Sequence, residues 1–476
     1  MMADLLLLMA CAAVMAHATL YAWRGTRSYA IPMGALFCYY WSLHGAWTIT
    51  LTGGDLGNHD YLMDDLVTVV VDNNYRLTLV LYTVFAVLML HAARWVGAVP
   101  GRLPDDGSRI RLNAPQLIIA CALCAIGSYL IIRGPLGMSA ATGVSLYNLT
   151  RYEGVLGTLG VVLTILNRMA LVPAAIGLAA WLSGPRGRFV VMPQRPGYAV
   201  GFGGVLVGML GLCFLLGNKN EILFAATTGA LFYLANSPRP RVLRLGVSLA
   251  SVLLCLVLFD NFRSASVAEV KEDVSVADTL AALASVGATG ECYAAHLSLY
   301  GVLNAQMTPD FGASFLSLAA SVVPRSLWEN RPEEIYWYYI EGVGASKDQG
   351  FTIHHATGWY LNFGMLGVLT GGVFVGAVWG QTIRLMNTSR SGRRWFVWRV
   401  LTTFAACTFT GNMPTLLRTG IEGYKGFVVH SFIASLLVLV LCSTLVRRRT
   451  TTAPPIKRPS LRRRPQRVAA AGAPAA

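Results

Sequence analysis

Apolar runs of about 20 residues recur along most of this chain, and no other feature restricts its fold as strongly. A helix of that length spans the ~30 Å hydrocarbon core of a bilayer. Inside lipid a backbone must satisfy its own polar groups, which a helix does. Eleven runs qualify, at roughly 4–23, 28–52, 76–97, 113–133, 158–182, 198–216, 221–236, 243–260, 357–383, 397–417 and 426–446. With 13% charged residues and a mean hydropathy of +0.54, the chain has too little polar surface to solvate a globule. The expected fold class is an all-α polytopic membrane protein with about 11 transmembrane helices.

The short connections sort by charge. Arg24 and Arg27; Arg94, Arg102, Arg109 and Arg111; Arg186, Arg188 and Arg195; Arg239, Arg241 and Arg244; and Arg384, Arg390, Arg393 and Arg394 all fall in alternate connections on one side. Basic residues mark the cytoplasmic side, so the N-terminus is expected outside and the C-terminus in the cytoplasm. Four regions follow: transmembrane helices 1 to 8 in 1–260, a large outward loop in 261–356, helices 9 to 11 in 357–446, and a tail in 447–476.

The net charge of +15 does not point to nucleic acid, because nine basic residues are packed into the last thirty positions. These are Arg447, Arg448, Arg449, Lys457, Arg458, Arg462, Arg463, Arg464 and Arg467, with no acid among them. Such a Pro-rich basic tail is expected to be disordered and held on the anionic inner leaflet. Membrane lipid is therefore a partner and nucleic acid is not. Eight of the nine cysteines lie in apolar runs, Cys292 being the exception, so no disulfide framework is expected. Cys121 and Cys124 read as small packing residues inside a helix. The first apolar run lacks a basic leading segment and a cleavage site, and reads as a span rather than a signal peptide.

The outward loops carry the chemistry. The first, 53–75, holds Asp55, Asp60, Asp64, Asp65 and Asp72. The second holds Arg151, the third is the tight turn GNKNE (217–221), and the last, near 418–425, holds Arg418, Glu422 and Lys425. Long loops are commonly functional, and the fourth, 261–356, is much the longest. Its piece AHLSLYGVL (295–303) is apolar enough to be helical or to dip into the interface. Its end runs SVVPRSLWENRPEEIYWYYIEG (321–342) and continues KDQGFTIHHATGWYLNFGMLG (347–367). Aromatic rings cover the apolar faces of sugars while charged groups take hydroxyls or phosphates. Trp328, Trp337 and Tyr338 are thus candidate sugar-binding residues. An interfacial aromatic belt with snorkelling charges has the same composition.

Cations at the outer surface form a second group. Arg168 lies inside its span, where an ionisable group costs about 2.5–3.5 kcal/mol at the bilayer centre and is usually paired or functional. Arg151, Arg325, Arg331 and Arg418 sit on outward loops near helix ends, and Lys219 sits between two asparagines in the third turn. A polyprenyl pyrophosphate places its diphosphate at this depth, and a guanidinium fork binds phosphate oxygens in pairs. Each cation taken alone also reads as a snorkelling anchor.

PRSLWENRP (324–332), GFT (350–352) and YLNFGMLGV (360–368) together resemble the signature region of Wzy-type polymerases, which join oligosaccharide repeat units in bacterial envelopes. GNK (217–219) resembles a turn found in these polymerases and in O-antigen ligases. The resemblance implies a metal-independent, inverting glycosyltransferase of the bacterial inner membrane, active at its periplasmic face and using no cofactor. Its substrate would be undecaprenyl-pyrophosphate-linked oligosaccharide, with a chain-length regulator and a repeat-unit flippase as partners. Lys219 and Arg325, with Arg331, Arg151, Arg168 and Arg418, would hold the pyrophosphate. Ligases carry a histidine before a comparable helix, which makes His354 and His355 candidate bases for the acceptor hydroxyl, with Glu341 and Asp348 in reserve. Many family members carry a Glu two residues before the Tyr of the signature, where this chain has Gly358. Two alternatives remain open: a ligase or another lipid-linked glycosyltransferase, for which Asp64 and Asp65 of the acidic loop would be the catalytic candidates, or a flippase or transporter.

The charge sorting generates the first test. Reporter fusions after Pro104, Pro193 and Ser237 should read cytoplasmic, and a fusion after Ser275 periplasmic. A cytoplasmic signal at Ser275 would reverse the expected active side.

Overall fold

The structure is a computed structural model and describes residues 2–54, 69–98, 108–142, 146–151, 155–157, 159–238, 240, 291–320, 328, 330, 332, 334–344, 352–388, 396–421, 423–425, 428 and 432–447. The expected span 243–260, the acids Asp64 and Asp65, and Arg325, Arg331 and Asp348 lie outside these residues.

Among the described residues six helices are long and apolar enough to cross a membrane. They are α1 (Met2–Thr26), α4 (Asn73–Gly97), α5 (Ala114–Thr142), α7 (Leu159–Ser183), α8 (Pro196–Leu215) and α13 (His355–Thr388). The chain is therefore a multi-pass helical membrane protein. Three further expected spans are helical, two of them divided. Residues 30–52 run as α2 (Ala30–Tyr39), one π-helical turn (Tyr40–His44) and α3 (Gly45–Thr52). The 221–236 run is α9 (Lys219–Asn236), and 397–417 is α14 (Phe396–Gly411) followed by α15 (Met413–Arg418). The short α6 (Leu146–Arg151) precedes α7. The described part of the long outward loop forms α10 (Glu291–Asn304), α11 (Ala313–Ala320) and α12 (Ile335–Gly342). The last loop contributes the turn α16 (Gly423–Lys425), and the chain then enters α17 (Ala434–Leu441).

The fold is helical as expected, with one small sheet added: β1 (Ser108–Leu112), β2 (Val190–Val191) and β3 (Ser443–Arg447) lie in the order β2-β1-β3, parallel on one side of β1 and antiparallel on the other. α17 ends at Leu441 and β3 follows it directly. The physical reason for the sheet is alternation. Ile110 and Leu112 face inward while Arg111 is exposed, which suits a half-buried strand. Arg399 and Asn236 fasten the sheet to the helices. Arg399 donates to the Ser108 carbonyl at 2.9 Å, and the Asn236 amide serves Phe189 N, Val190 N and Val190 O like an extra strand. All three strands come from segments that the charge pattern assigns to one side.

The centre of the bundle is the crossing of α13 on α4. Here Gly372, Gly376 and Gly380 recur every fourth residue and lie against the backbone of α4. A Cβ on Gly376 would lie 2.1 Å from the Met89 carbonyl oxygen; for Gly372 and Gly380 the distances to the Phe85 and Ala93 carbonyls are 2.7 and 2.5 Å. The order of these pairs makes the helices parallel. Lipid tails are as apolar as leucine, so helices associate by close packing, and small residues that admit backbone contact supply it. The far end of the same face carries Trp379, fully buried, whose indole N–H donates to Thr410 Oγ1 at 2.9 Å.

At the opposite end from the sheet, α4 starts on Asp72, whose carboxylate accepts the Tyr75 amide at 2.9 Å and caps the helix. Arg76 pairs with Asp4 of α1 at 2.7 Å there. This packing predicts that Gly376→Leu removes folded protein from the membrane, since overpacking costs about 1–3 kcal/mol even where neighbours can yield and Met89 is backbone. Gly204→Ala, with nothing within 4 Å of the new methyl, should leave the folded yield unchanged. The measurement is the monodisperse fraction after detergent extraction.

Candidate functional site

The end of the bundle opposite the sheet gathers three buried histidines whose hydrogen bonds define their proton positions. A π-turn leaves a backbone carbonyl without its usual helical partner and commonly marks a functional position. In the turn Tyr40–His44 the Ser42 carbonyl accepts the Nδ1–H of His296 at 2.8 Å. His296 Nε2 must then accept, and takes the Tyr75 hydroxyl at 3.1 Å. His354 Nδ1 accepts the Ala356 amide at 3.1 Å, which puts its proton on Nε2 and directs it to Ser42 Oγ at 3.1 Å. The backbone N–H of His354 donates to Ser298 Oγ at 3.0 Å, and Ser298 lies with Thr357 and the Tyr82 hydroxyl in one buried cluster. Burial pushes the His296 imidazole down to about 4 and, with the neighbouring histidines, holds His354 well below its ordinary value. Both rings stay neutral throughout the physiological range.

His355 has a different outlook. Its Nδ1–H donates to the Gly420 carbonyl at 2.6 Å and its Nε2 accepts the Tyr424 hydroxyl at 2.9 Å. Tyr424, which holds the basic nitrogen, is a residue that the sequence reading passed over. Gly358 lets the segment 419–425 come near: a Cβ there would lie 3.0 Å from Ile421 N and 3.2 Å from Gly420 Cα, so a larger side chain would push that backbone away. A backbone bridge of Ile353 with Thr419 fixes the same approach.

The YLNFG segment forms a break in α13. Phe363 and Gly364 leave helical geometry, Gly364 at φ 62° and ψ −146°, a region essentially restricted to glycine. Asn362 holds the break: its Oδ1 accepts Ser314 Oγ at 2.7 Å from α11, and its Nδ2 donates to the Gly358 carbonyl at 2.6 Å. The arm 355–363 then folds back far enough for the Trp359 ring to cover Gly371, where a Cβ would lie 2.4 Å from it.

The aromatic stretch becomes α12. Ile335, Tyr339 and Ile340 turn inward onto Val302, Ile353 and Leu361, forming a small second core that joins this helix to the histidine region. Trp337 and Tyr338 remain half-buried, with the Tyr338 hydroxyl donated to the Thr308 carbonyl at 2.8 Å. Trp328 and Glu341 are exposed. One face of α12 is therefore core, and Trp337 and Tyr338 lie half-buried off that face.

Of the candidate cations, Arg168, Lys219, Arg151 and Arg418 fall on described residues. Arg168 is buried and forms a fork with Glu221, Nε to Oε2 at 2.6 Å and Nη2 to Oε1 at 3.0 Å. Its charge is thereby neutralised by a residue of the GNKNE turn, and a phosphate would have to displace Glu221 to reach it. Lys219 opens α9 just after Gly217, whose φ of 68° makes the turn. Arg151 ends α6, and Arg418 ends α15 with its guanidinium 5.8 Å from the centroid of the Trp41 ring. Arg418 belongs to the same short segment as Gly420 and Tyr424, which bind His355. Cys292, expected on the exposed loop, is fully buried in α10. Searches among known proteins find no matching family model, no matching curated protein and no matching solved structure.

The fork between Arg168 and Glu221 separates a structural from a ligand-binding role. Removing one partner of a buried pair costs about 3–5 kcal/mol, whereas replacing both by apolar residues is often neutral. Glu221→Gln should therefore sharply lower the thermal stability of the purified protein, and the double variant Arg168→Met with Glu221→Met should restore it. If the double variant folds and retains all activity, Arg168 serves packing alone.

Proposed function

We propose that this chain polymerises undecaprenyl-pyrophosphate-linked oligosaccharide repeat units at the outward, periplasmic face of a bacterial inner membrane, crossing it eleven times. The observation that carries the reading is the coupling of the YLNFG break to the histidines. The signature residues Asn362 and Gly364 fold the start of α13 back, and His355 begins that arm with its basic nitrogen on Tyr424. The resemblance in PRSLWENRP, GFT and YLNFGMLGV supplies the substrate class, and the half-buried rings of α12 supply a surface suited to sugars.

In this reading the acceptor hydroxyl attacks the anomeric carbon of the donor glycan while the bond from that carbon to the diphosphate oxygen breaks. The acceptor proton passes to the Tyr424 oxygen as the Tyr424 proton moves to His355 Nε2. The resulting imidazolium keeps its Nδ1–H on Gly420. Lys219, Arg325 and Arg418 oppose the charge that develops on the departing diphosphate, where preorganised cations act best. A transporter would put its broken helices at the bilayer midplane. Here the arm 365–388 is long enough on its own, at about 1.5 Å per residue, to cross a ~30 Å core, so the break belongs to the surface.

The test is purified protein with lipid-linked repeats, measuring polymer formed and diphosphate lipid released. Arg325→Ala should leave single repeats, and Arg325→Lys should be strongly impaired because it lacks the planar fork. His355→Ala and Tyr424→Phe should both stop chain growth without preventing repeat binding, while His354→Ala should lower protein yield rather than activity per molecule. Activity should survive EDTA. Full activity of Arg325→Ala and His355→Ala overturns the reading, and loss in EDTA restored by a divalent ion redirects it to the acidic first loop.

A further inference from the structure

Four helices close a ring in one half of the bundle, and the interior of that ring is polar. α7 packs on α9, α9 on α14, α14 on α17, and α17 back on α7. Contacts inside the ring set the register. Arg168 of α7 meets Glu221 of α9, and further along Gly229 lies against Ala175, so these two helices are parallel. The Gly411 position of α14 lies against the Phe224 carbonyl and Thr228 Oγ1 of α9, and Ser435 of α17 donates to the Arg168 carbonyl at 3.4 Å.

On these helices, and just past the end of α14, Asn167, Thr228 and Asn412 are 0%, 0% and 1% exposed. Both amide atoms of each asparagine and the threonine hydroxyl have no hydrogen-bond partner among the described residues. Asn167 adjoins Arg168 in α7, Asn412 follows Gly411, and Thr228 Oγ1 is the atom nearest the Gly411 position. From Glu221 to Thr228 the descent along α9 is about 10 Å. Every one of these groups is costly if dry, and buried polar groups in proteins are satisfied by protein or by ordered water.

We propose that Asn167, Asn412 and Thr228 line a buried file of water molecules running from the Arg168–Glu221 pair into the bundle. The chemistry of the donor set selects water over an ion. The Glu221 charge is already matched by Arg168, so the site is neutral. Its orphaned groups combine amide N–H donors, amide carbonyl acceptors and a hydroxyl that does both, with no net charge to compensate an ion. Water both donates and accepts, and a buried molecule needs two to four polar partners. The file gives the outer surface a wet route toward the middle of the membrane, and it does not depend on the reaction proposed above.

Radiolytic hydroxyl labelling of the native protein in lipid tests this without mutation, because bound water is activated in place. The Phe224 ring lies 5.9 Å from the Arg168 guanidinium and is 2% exposed; Phe202, packed on Gly177 of α7, is 0% exposed and serves as the dry control. If water occupies the file, Phe224 should be modified roughly fivefold or more faster than Phe202. Equal rates would overturn the proposal. Thr228→Val is the second arm: a lower melting temperature supports a hydroxyl that serves water, and a higher one overturns the proposal, since it would mean the group was buried dry.

Discussion

The approach of α13 to α4 is the interaction on which the rest of the structure depends. Gly372, Gly376 and Gly380 let two backbones meet where any side chain would hold them apart. Because the contact is backbone on backbone, its register has little freedom, and everything attached to either helix inherits that precision. The start of α4 carries Tyr75, Tyr82 and Phe85 to the end opposite the sheet. The start of α13 carries His354 and His355 to the same place, where the His354 and Tyr82 ring centroids are 4.2 Å apart.

That end is built of polar groups whose bonding is nearly closed. The π-turn frees the Ser42 carbonyl for His296 while Ser42 Oγ receives His354, so a single irregular turn joins two histidines from distant parts of the chain. Such a network is costly if half satisfied and rigid if fully satisfied. Both nitrogens of all three rings are satisfied, and tyrosine hydroxyls hold His296 and His355 where Ser42 holds His354. The difference between His354 and His355, neighbours in sequence, lies entirely in who holds their nitrogens.

The ion pair between Arg168 and Glu221 illustrates how a sequence signal can be right about cost and silent about cause. An arginine within an apolar run must be paired or functional, and the run around Arg168 shows only that. Its partner stands in a turn some fifty residues on, beside Lys219, where it looked like part of a charged surface loop. Glu221 instead turns inward and closes a neutral fork. Likewise Arg399, which the charge sorting does not single out, is buried and tied to the sheet.

Periodicity and charge sorting made the membrane helices legible, because a bilayer imposes length and apolarity on each segment independently of its neighbours. The same local signals marked 295–303 as apolar enough to be helical or to dip into the interface, and it is helical, within α10. The candidate site was legible in part: the histidines and the YLNFG segment were recognisable, but Tyr424, Glu221 and the reason for Gly358 were not. Those depend on segments that meet only when the helices are packed, and no spacing along the chain encodes the meeting. The sheet of β1, β2 and β3 hid for the same reason, since a strand of five residues has no partner in its own sequence. What each stretch must be was decided by the solvent it faces; what each polar group touches was decided by which backbones could come close, and that was settled by three glycines.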